Sequence, residues 1–301
     1  MSTLPEHADQ PFHIEQMWVY PVKSCAGVRL PRATLLDTGL EWDRSWMVVD
    51  AQGEFVSQRE LPRMALVQPS FRMGQLVLRA PGMLALHLQL DAAEAPTRVR
   101  VWDDELPAYD MGDVAAQWFS DFLSPGAPAG LQRLRLVRFD PDVQRLSSLK
   151  WTGGVPAPVH FGDGFAVLVV SAAALDDLNA RLGAAGQSAV DMRRLRPNIV
   201  LGGVAAHDED RFSDLYLPGA TASDALVHLQ LVKPCARCTI PDVDPDTAAT
   251  GHAVGEALRA YRADARVNGA ITFGMNAVVR AGAEAVLAEG QSGAAAWGVW
   301  D

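Results

Sequence analysis

The chain has 301 residues, with 26 Lys and Arg against 36 Asp and Glu, a formal charge of −10. That surplus of carboxylates argues against nonspecific nucleic-acid binding and against adhesion to an anionic membrane, since both need a basic footprint. Apolar residues make up 49%, enough for a sizeable core in one large domain or two smaller ones.

No run of about 20 apolar residues occurs, so no membrane-spanning helix is expected. The N-terminus, MSTLPEHADQPFH, has neither the basic nor the apolar region of a secretory signal. Three cysteines, Cys25, Cys235 and Cys238, cannot all pair within the chain. So few thiols in so long a chain point to a reducing compartment, and the cytoplasm is the expected location.

In chain order, residues 1–12 read as a loose polar tail. From there to about residue 110 the pattern is mostly strand. Leu84, Leu86, Leu88 and Leu90 alternate through GMLALHLQL, the period of a half-buried strand. RSWMVVD and TRVRVWD read the same way, being rich in β-branched and aromatic residues. In MGDVAAQWFSDFLS, Val114, Trp118, Phe122 and Leu123 fall near helical spacing, and SPGAPAG breaks that helix. RLRLVRF is a further strand, and the Gly- and Pro-containing stretch 147–158 is the best boundary. Beyond it, FAVLVV is a buried strand. SAAALDDLNARLG has Ser171 as N-cap, Leu175, Leu178 and Leu182 as apolar stripe and Gly183 as stop. RPNIVLGG, ALVHLQLVKP and FGMNAVVR are strands, with a short helix near 253–263. Strands outnumber helices, and short strands with frequent turns point to barrels or sandwiches: two β-rich modules, an α+β fold dominated by strand.

Several patterns could carry chemistry. Pro234-Cys235-Ala236-Arg237-Cys238 has the C-x-x-C spacing. Zinc would need two more Cys or His, and only His252 follows. A redox pair would open a helix, which Pro241 and Pro245 oppose. Two packed thiols, or one thiolate binding a soft metal with Arg237 beside it, stay open on spacing alone. Asp242-Val243-Asp244-Pro245-Asp246-Thr247 alternates carboxylates, but Thr247 and Ala253 stand where a calcium loop needs Gly and Glu. A turn held by Asp side chains is the simple reading; the functional one places a carboxylate beside the metal as proton donor or substrate anchor. Lys23, Ser24, Arg44, Arg59, Arg63, Arg193, Arg194 and Arg196 give anion-binding potential in an acidic chain. No Walker loop, dinucleotide fingerprint or nucleophile elbow occurs.

Taken together, these segments resemble the MOSC-domain family. Tyr20-Pro-Val-Lys-Ser-Cys25 with Gly27, then Asp43-Arg44-Ser-Trp46-Met-Val-Val-Asp50, Gln58-Arg59 and Pro62-Arg63, are similar to its N-terminal β-barrel module. Arg196-Pro-Asn198-Ile-Val200, Pro234-Cys-Ala-Arg-Cys238, Val243 to Thr247, Tyr261-Arg262 and Phe273-Gly-Met-Asn276 are similar to the MOSC domain. The resemblance spans about residues 13 to 290. It implies a β-barrel-like module over 13–146 and a MOSC β-barrel over 147–295, with a few helices.

The overall layout resembles the amidoxime-reducing components. That resemblance implies a molybdenum cofactor of the molybdopterin type, with Cys238 as the protein ligand to the metal. It implies that Lys23, Ser24, Arg44, Arg59, Arg196 and Asn198 hold the cofactor in a cleft between the modules. Asp244 and Asp246 become candidate catalytic proton donors. The expected function is reduction of small N-hydroxylated compounds, amidoximes or hydroxylamino bases, by removal of an oxygen atom. The alternative is a non-catalytic carrier of the cofactor or of persulfide sulfur on Cys238. A separate electron donor, a flavin reductase, ferredoxin or cytochrome, is expected. No iron–sulfur cluster is expected in this chain, nor pyridoxal phosphate, nor a nucleic-acid or membrane partner. One departure is notable: Ala248-Ala249-Thr250-Gly251 follows Thr247 where the family has Gly at once, so the turn after the metal loop is longer or reshaped.

Overall fold

The computed structural model describes residues 4–219 and 225–298; residues 1–3 of the expected tail lie outside them. Its centre is a closed ring of seven strands. Gln10–Val19, Ile199–Gly202, Val167–Ser171, Ala270–Ala281, Val227–Ala236, Phe212–Leu217 and Ser292–Trp297 follow one another around it. Closure leaves no free edge among these seven. Val167–Ser171 and Ile199–Gly202 run parallel, joined by a crossover that contains helix α2 (Ala172–Ala184). The fold is α+β and rich in strand, as the sequence predicts.

Alternation explains the ring. Along Gln10–Val19 the side chains of Phe12, Ile14, Met17 and Val19 are buried. They join Leu201, Leu215, Leu229 and Met275 in the barrel core. Burying a large apolar side chain contributes roughly 1.5–3 kcal/mol, so this inward stripe stabilises the barrel. Gly274 sits in the left-handed region at φ 77°. A Cβ there would meet the Val169 carbonyl at 2.6 Å, so glycine lets the Val167–Ser171 and Ala270–Ala281 strands approach.

The structure moves two boundaries. The first strand starts at Gln10, inside the stretch read as a tail, and pairs Gln10 with Ala295 and Phe12 with Gly293. A polar residue and a proline at its start hid it, because Pro is uncommon within a sheet. That strand pairs with strands of residues 199–202 and 292–297 along most of its length and with Val28–Arg29 at its end. Ile14 pairs with Leu201, and periodicity along a strand does not name a partner so distant in sequence.

The N-terminal segment otherwise forms a four-stranded sheet, in the order Trp46–Val49, Arg135–Phe139, Asp104–Asp110 and Ala95–Val101, and a three-stranded sheet over residues 68–89. Helix α1 (Gly112–Leu123) buries Trp118, Phe119 and Phe122 against this second core. Leu86 and Leu88 point inward, whereas Leu84 is exposed because the strand begins only at Leu86. Ser171 caps α2 by accepting from Ala174 N at 3.3 Å. Helix α2 runs one residue past Gly183, and Gly186 takes the left-handed turn instead. Helix α3 (Ala253–Arg259) is shorter than the sequence predicts.

Candidate functional site

Five backbone segments build the site. The turn after Val19 folds onto residues 43–46: Arg44 N donates to the Tyr20 carbonyl at 2.9 Å, Trp46 N to that of Pro21 at 2.9 Å and Lys23 N to that of Trp46 at 2.8 Å. Residues 161–165 close over this turn, with Phe161 N bonded to the Arg44 carbonyl. The loop entering the Ile199–Gly202 strand brings Arg196 and Asn198, and the end of Val227–Ala236 brings Cys235, Arg237 and Cys238. Three non-glycine residues here, Ser24 (φ 65°), Arg44 (φ 47°) and Arg196 (φ 57°), are left-handed. Such backbone costs on the order of 1 kcal/mol or more per residue and concentrates at functional sites.

Between these segments lies a cavity of about 590 Å³. Among the described residues its walls carry seven cations, Lys23, Arg44, Arg59, Arg145, Arg196, Lys233 and Arg237, against three carboxylates, Asp103, Asp104 and Asp163. In a chain of charge −10, a cavity lined this way carries a local surplus of positive charge, which favours anions. The cations divide into two kinds. Lys23 donates to the Phe161 carbonyl at 2.9 Å and to the Asp163 carboxylate. Arg44 donates to Asp43 at 2.6 Å, Arg145 to Asp104 at 2.7 Å, and Arg59 lies 3.7 Å from Glu60. Arg196, Lys233 and Arg237 have no carboxylate within 4.0 Å among the described residues.

The stacked pair Arg44 and Arg196 organises the floor. Both guanidiniums lie over the Tyr20 ring, at 4.4 Å and 4.2 Å. Arg196 also donates to the Cys25 carbonyl at 2.6 Å. Burial pulls its guanidinium down to about 10, opposed by the Tyr20 phenol and assisted by the Arg44 charge. An anion placed there would relieve the penalty of two neighbouring cations. Burial likewise pulls the Lys23 ammonium below its ordinary range, with Asp163 opposing. Burial acts to raise the Asp163 carboxyl, but the charge and hydrogen bond of Lys23 outweigh it and hold it well below the usual carboxylate range.

The structure brings Lys23, Ser24, Arg44, Arg59, Arg196, Asn198 and Cys238 to this one cavity. Their geometry separates positions that sequence treated alike. Asn198 is buried, and its Oδ1 accepts from Leu168 N at 3.0 Å and Arg44 Nη1 at 3.1 Å, while Nδ2 donates to the Trp18 carbonyl at 3.1 Å. It therefore fixes Arg44 and ties three barrel strands together. Arg59 lies over Trp102 at 4.8 Å and donates to Ser57 Oγ at 3.0 Å. Cys238 is exposed, Cys235 half-buried and Cys25 buried. Burial pushes the Cys25 thiol up to about 12, so it packs rather than reacts. Arg237 reaches Cys235 Sγ at 3.3 Å and the Leu195 carbonyl at 2.8 Å. Its Nε is buried without a partner.

Asp244 and Asp246 depart from expectation: neither lines the cavity. Asp246 makes a two-point contact with Arg193, both bonds 2.7 Å. Asp244 accepts from Asp246 N, Thr247 N and Thr247 Oγ1 and from Arg194 at 2.8 Å. The alternating carboxylates thus hold a turn, in which Ala248 is left-handed at φ 60°. Asp242 accepts from Val254 N and Gly255 N at 3.0 and 3.1 Å, anchoring the start of α3. Sequence reasoning missed Phe55, Trp102, Arg145, Asp163 and Lys233; no motif marks them, and only the fold brings them to the cavity.

A closed barrel and a second strand-rich module, with an accessible thiol set in a cationic cavity between them, define a protein equipped to seat an anionic, thiophilic ligand. Residues 11–125 match the MOSC N-terminal beta barrel domain and residues 156–292 the MOSC domain, and the chain belongs to the MOSC-domain family. It is 32% identical to mitochondrial amidoxime reducing component 2 of Bos taurus, over 83% of this chain and 72% of that protein. It is 33% identical to mitochondrial amidoxime-reducing component 1 of Mus musculus, over 83% of this chain and 71% of that protein. Human molybdenum cofactor sulfurase is 27% identical over 90% of this chain but 30% of its own length. Among solved structures, the YuaD protein of Bacillus subtilis aligns with a TM-score of 0.42 and 8% identity, over 96% of this chain and 97% of that one. No described helix is long and apolar enough to cross a membrane.

Proposed function

We propose that this protein binds a molybdenum cofactor and reduces small N-hydroxylated compounds by removing an oxygen atom. The observation that carries the reading is the coincidence, in one cavity, of an exposed Cys238 thiol with cations that lack a carboxylate, Arg196 and Arg237. A thiolate is a soft donor suited to a thiophilic metal. Guanidiniums suit a phosphate bidentately. The cofactor's fit is supported by the unpartnered Nε of Arg237 and by the stacked Arg44 and Arg196 pair.

In this reading Cys238 ligates the metal. Lys23, Ser24, Arg44, Arg59, Arg196 and Arg237 grip the anionic and polar parts of the cofactor, and Asn198 keeps Arg44 in place. The bound cofactor supplies the oxygen-atom and two-electron chemistry that no side chain of this chain offers. Phe55 and Trp102 give the cavity apolar walls, which exclude water around the reacting group and strengthen the field of the cations. Electrons come from a separate donor protein, and the three unpaired thiols suit the reducing cytoplasm. The relatives' names, amidoxime reducing component above all, support the same substrate class.

The test is metal analysis of wild type and Cys238→Ser produced with ample molybdate, together with benzamidoxime turnover driven by an artificial reductant. Near-stoichiometric molybdenum in wild type, its loss in Cys238→Ser and turnover only in wild type are expected. Equal molybdenum in both proteins, or none in either, would refute the ligand assignment. Full loading without turnover would favour a carrier, a role that the exposure of Cys238 also suits.

A further inference from the structure

We infer that Lys233 is a specificity determinant, selecting planar N-hydroxylated substrates that carry an anionic group. The inference rests on the proposed function and narrows its substrate class. The Val227–Ala236 strand delivers Lys233 two residues before Cys235, on the wall of the cavity that also holds Cys238. Its ammonium lies over two rings, 5.3 Å from the centroid of Trp151 and 5.8 Å from that of Phe165. The backbone is pinned there, because Asn276 Nδ2 donates to the Lys233 carbonyl at 3.2 Å.

Two features separate this lysine from the other cations. First, Lys23, Arg44 and Arg145 each have a carboxylate, whereas no described carboxylate lies within 4.0 Å of Lys233 Nζ. A half-buried lysine held over aromatic faces keeps a partly desolvated charge that favours an incoming anion. In a chain with 36 Asp and Glu, leaving that charge unanswered inside a cavity is not required by folding. Second, of the cations without a carboxylate, Arg196 belongs to the Tyr20 stack and Arg237 is held by Cys235 Sγ and the Leu195 carbonyl, whereas Lys233 stands apart from both. Its neighbour Phe165 lines the cavity and offers a flat apolar surface beside the charge. A flat face next to an open ammonium suits a planar ring bearing a carboxylate or phosphate.

The experiment compares para-carboxybenzamidoxime with benzamidoxime on molybdenum-loaded wild type, Lys233→Gln and Lys233→Arg. Wild type is expected to favour the carboxylate about five- to tenfold in kcat/KM, the scale of one partly shielded charge pair. Lys233→Gln should bring that ratio close to unity through a higher KM for the carboxylate, and Lys233→Arg should restore it. The same ratio in all three proteins overturns the inference. So does a Lys233→Gln variant that loses molybdenum and slows on both substrates alike, which would assign Lys233 to the cofactor grip. If loaded wild type reduces neither compound, the proposed function fails. Calorimetric binding of the two compounds then still reads Lys233: a fivefold gap in Kd that Lys233→Gln abolishes supports it, and no gap refutes it.

Discussion

Residues with the same sequence appearance do different work once their surroundings are fixed. Lys23, Arg44 and Arg196 were single cations on the page of the sequence; in the fold two of them clamp Tyr20 and the third is locked by Phe161 and Asp163. Glu209 is the opposite case, an ordinary glutamate in sequence and a fully buried one in the barrel. Its Oε1 accepts from Ser171 N at 3.0 Å, and Oε2 has no partner. Burial, with Asp210 adding its charge, pushes its carboxyl up to about 7, against the Ser171 bond. The sign follows from proton counting. From about pH 4.5 to about pH 7 the folded chain keeps a proton that the unfolded chain has lost, so stability falls as pH rises. Above that window the cost is on the order of 3 kcal/mol. Glu209→Gln removes the cost, so its melting temperature should gain on wild type between about pH 5 and about pH 8. A constant difference across that range would show that Glu209 does not titrate as argued.

Elements show where local pattern suffices and where it misleads. The Ser171 cap of α2 is written in one hydroxyl and forms as read; helix α1 forms where apolar spacing put it, but its buried face takes Ala115 and Phe119 beside Trp118, Phe122 and Leu123, and leaves Val114 exposed. The 242–251 turn was legible as a turn too. Two arginines distant in sequence, Arg193 and Arg194, occupy the carboxylates of Asp246 and Asp244, an arrangement that weighs against proton donation by either. The hydrogen bonds and charge of Arg193 lower the Asp246 carboxyl below its usual range. Such a group stays ionised at neutral pH and has no proton to give. Asp246→Asn should therefore keep kcat for benzamidoxime within about threefold of wild type, since loss of a general acid typically costs 10²–10⁴-fold. A drop of that larger size would return Asp246 to the chemistry.

At the scale of the whole molecule, the separation of charge matters most. A chain of −10 gathers seven cations around one cavity, so an anion that binds only the folded state should stabilise it. Inorganic phosphate is expected to raise the melting temperature of cofactor-free protein more than chloride at equal ionic strength. The gain is about 1.4 kcal/mol for each tenfold excess over Kd, and Arg196→Gln should shrink it. Identical responses to the two salts would show that the cavity does not collect anions. The amino-acid sequence by itself determined the strand-rich character, the helices, the motif set and the thiol at position 238, because these depend on side-chain period and on residues close together in the chain. Ring closure through Gln10–Val19, the partners of the acidic turn and the presence of Lys233, Phe165 and Trp102 at the cavity were decided only by tertiary structure. These depend on contacts between segments often more than 100 residues apart, and local sequence patterns carry no record of such partners.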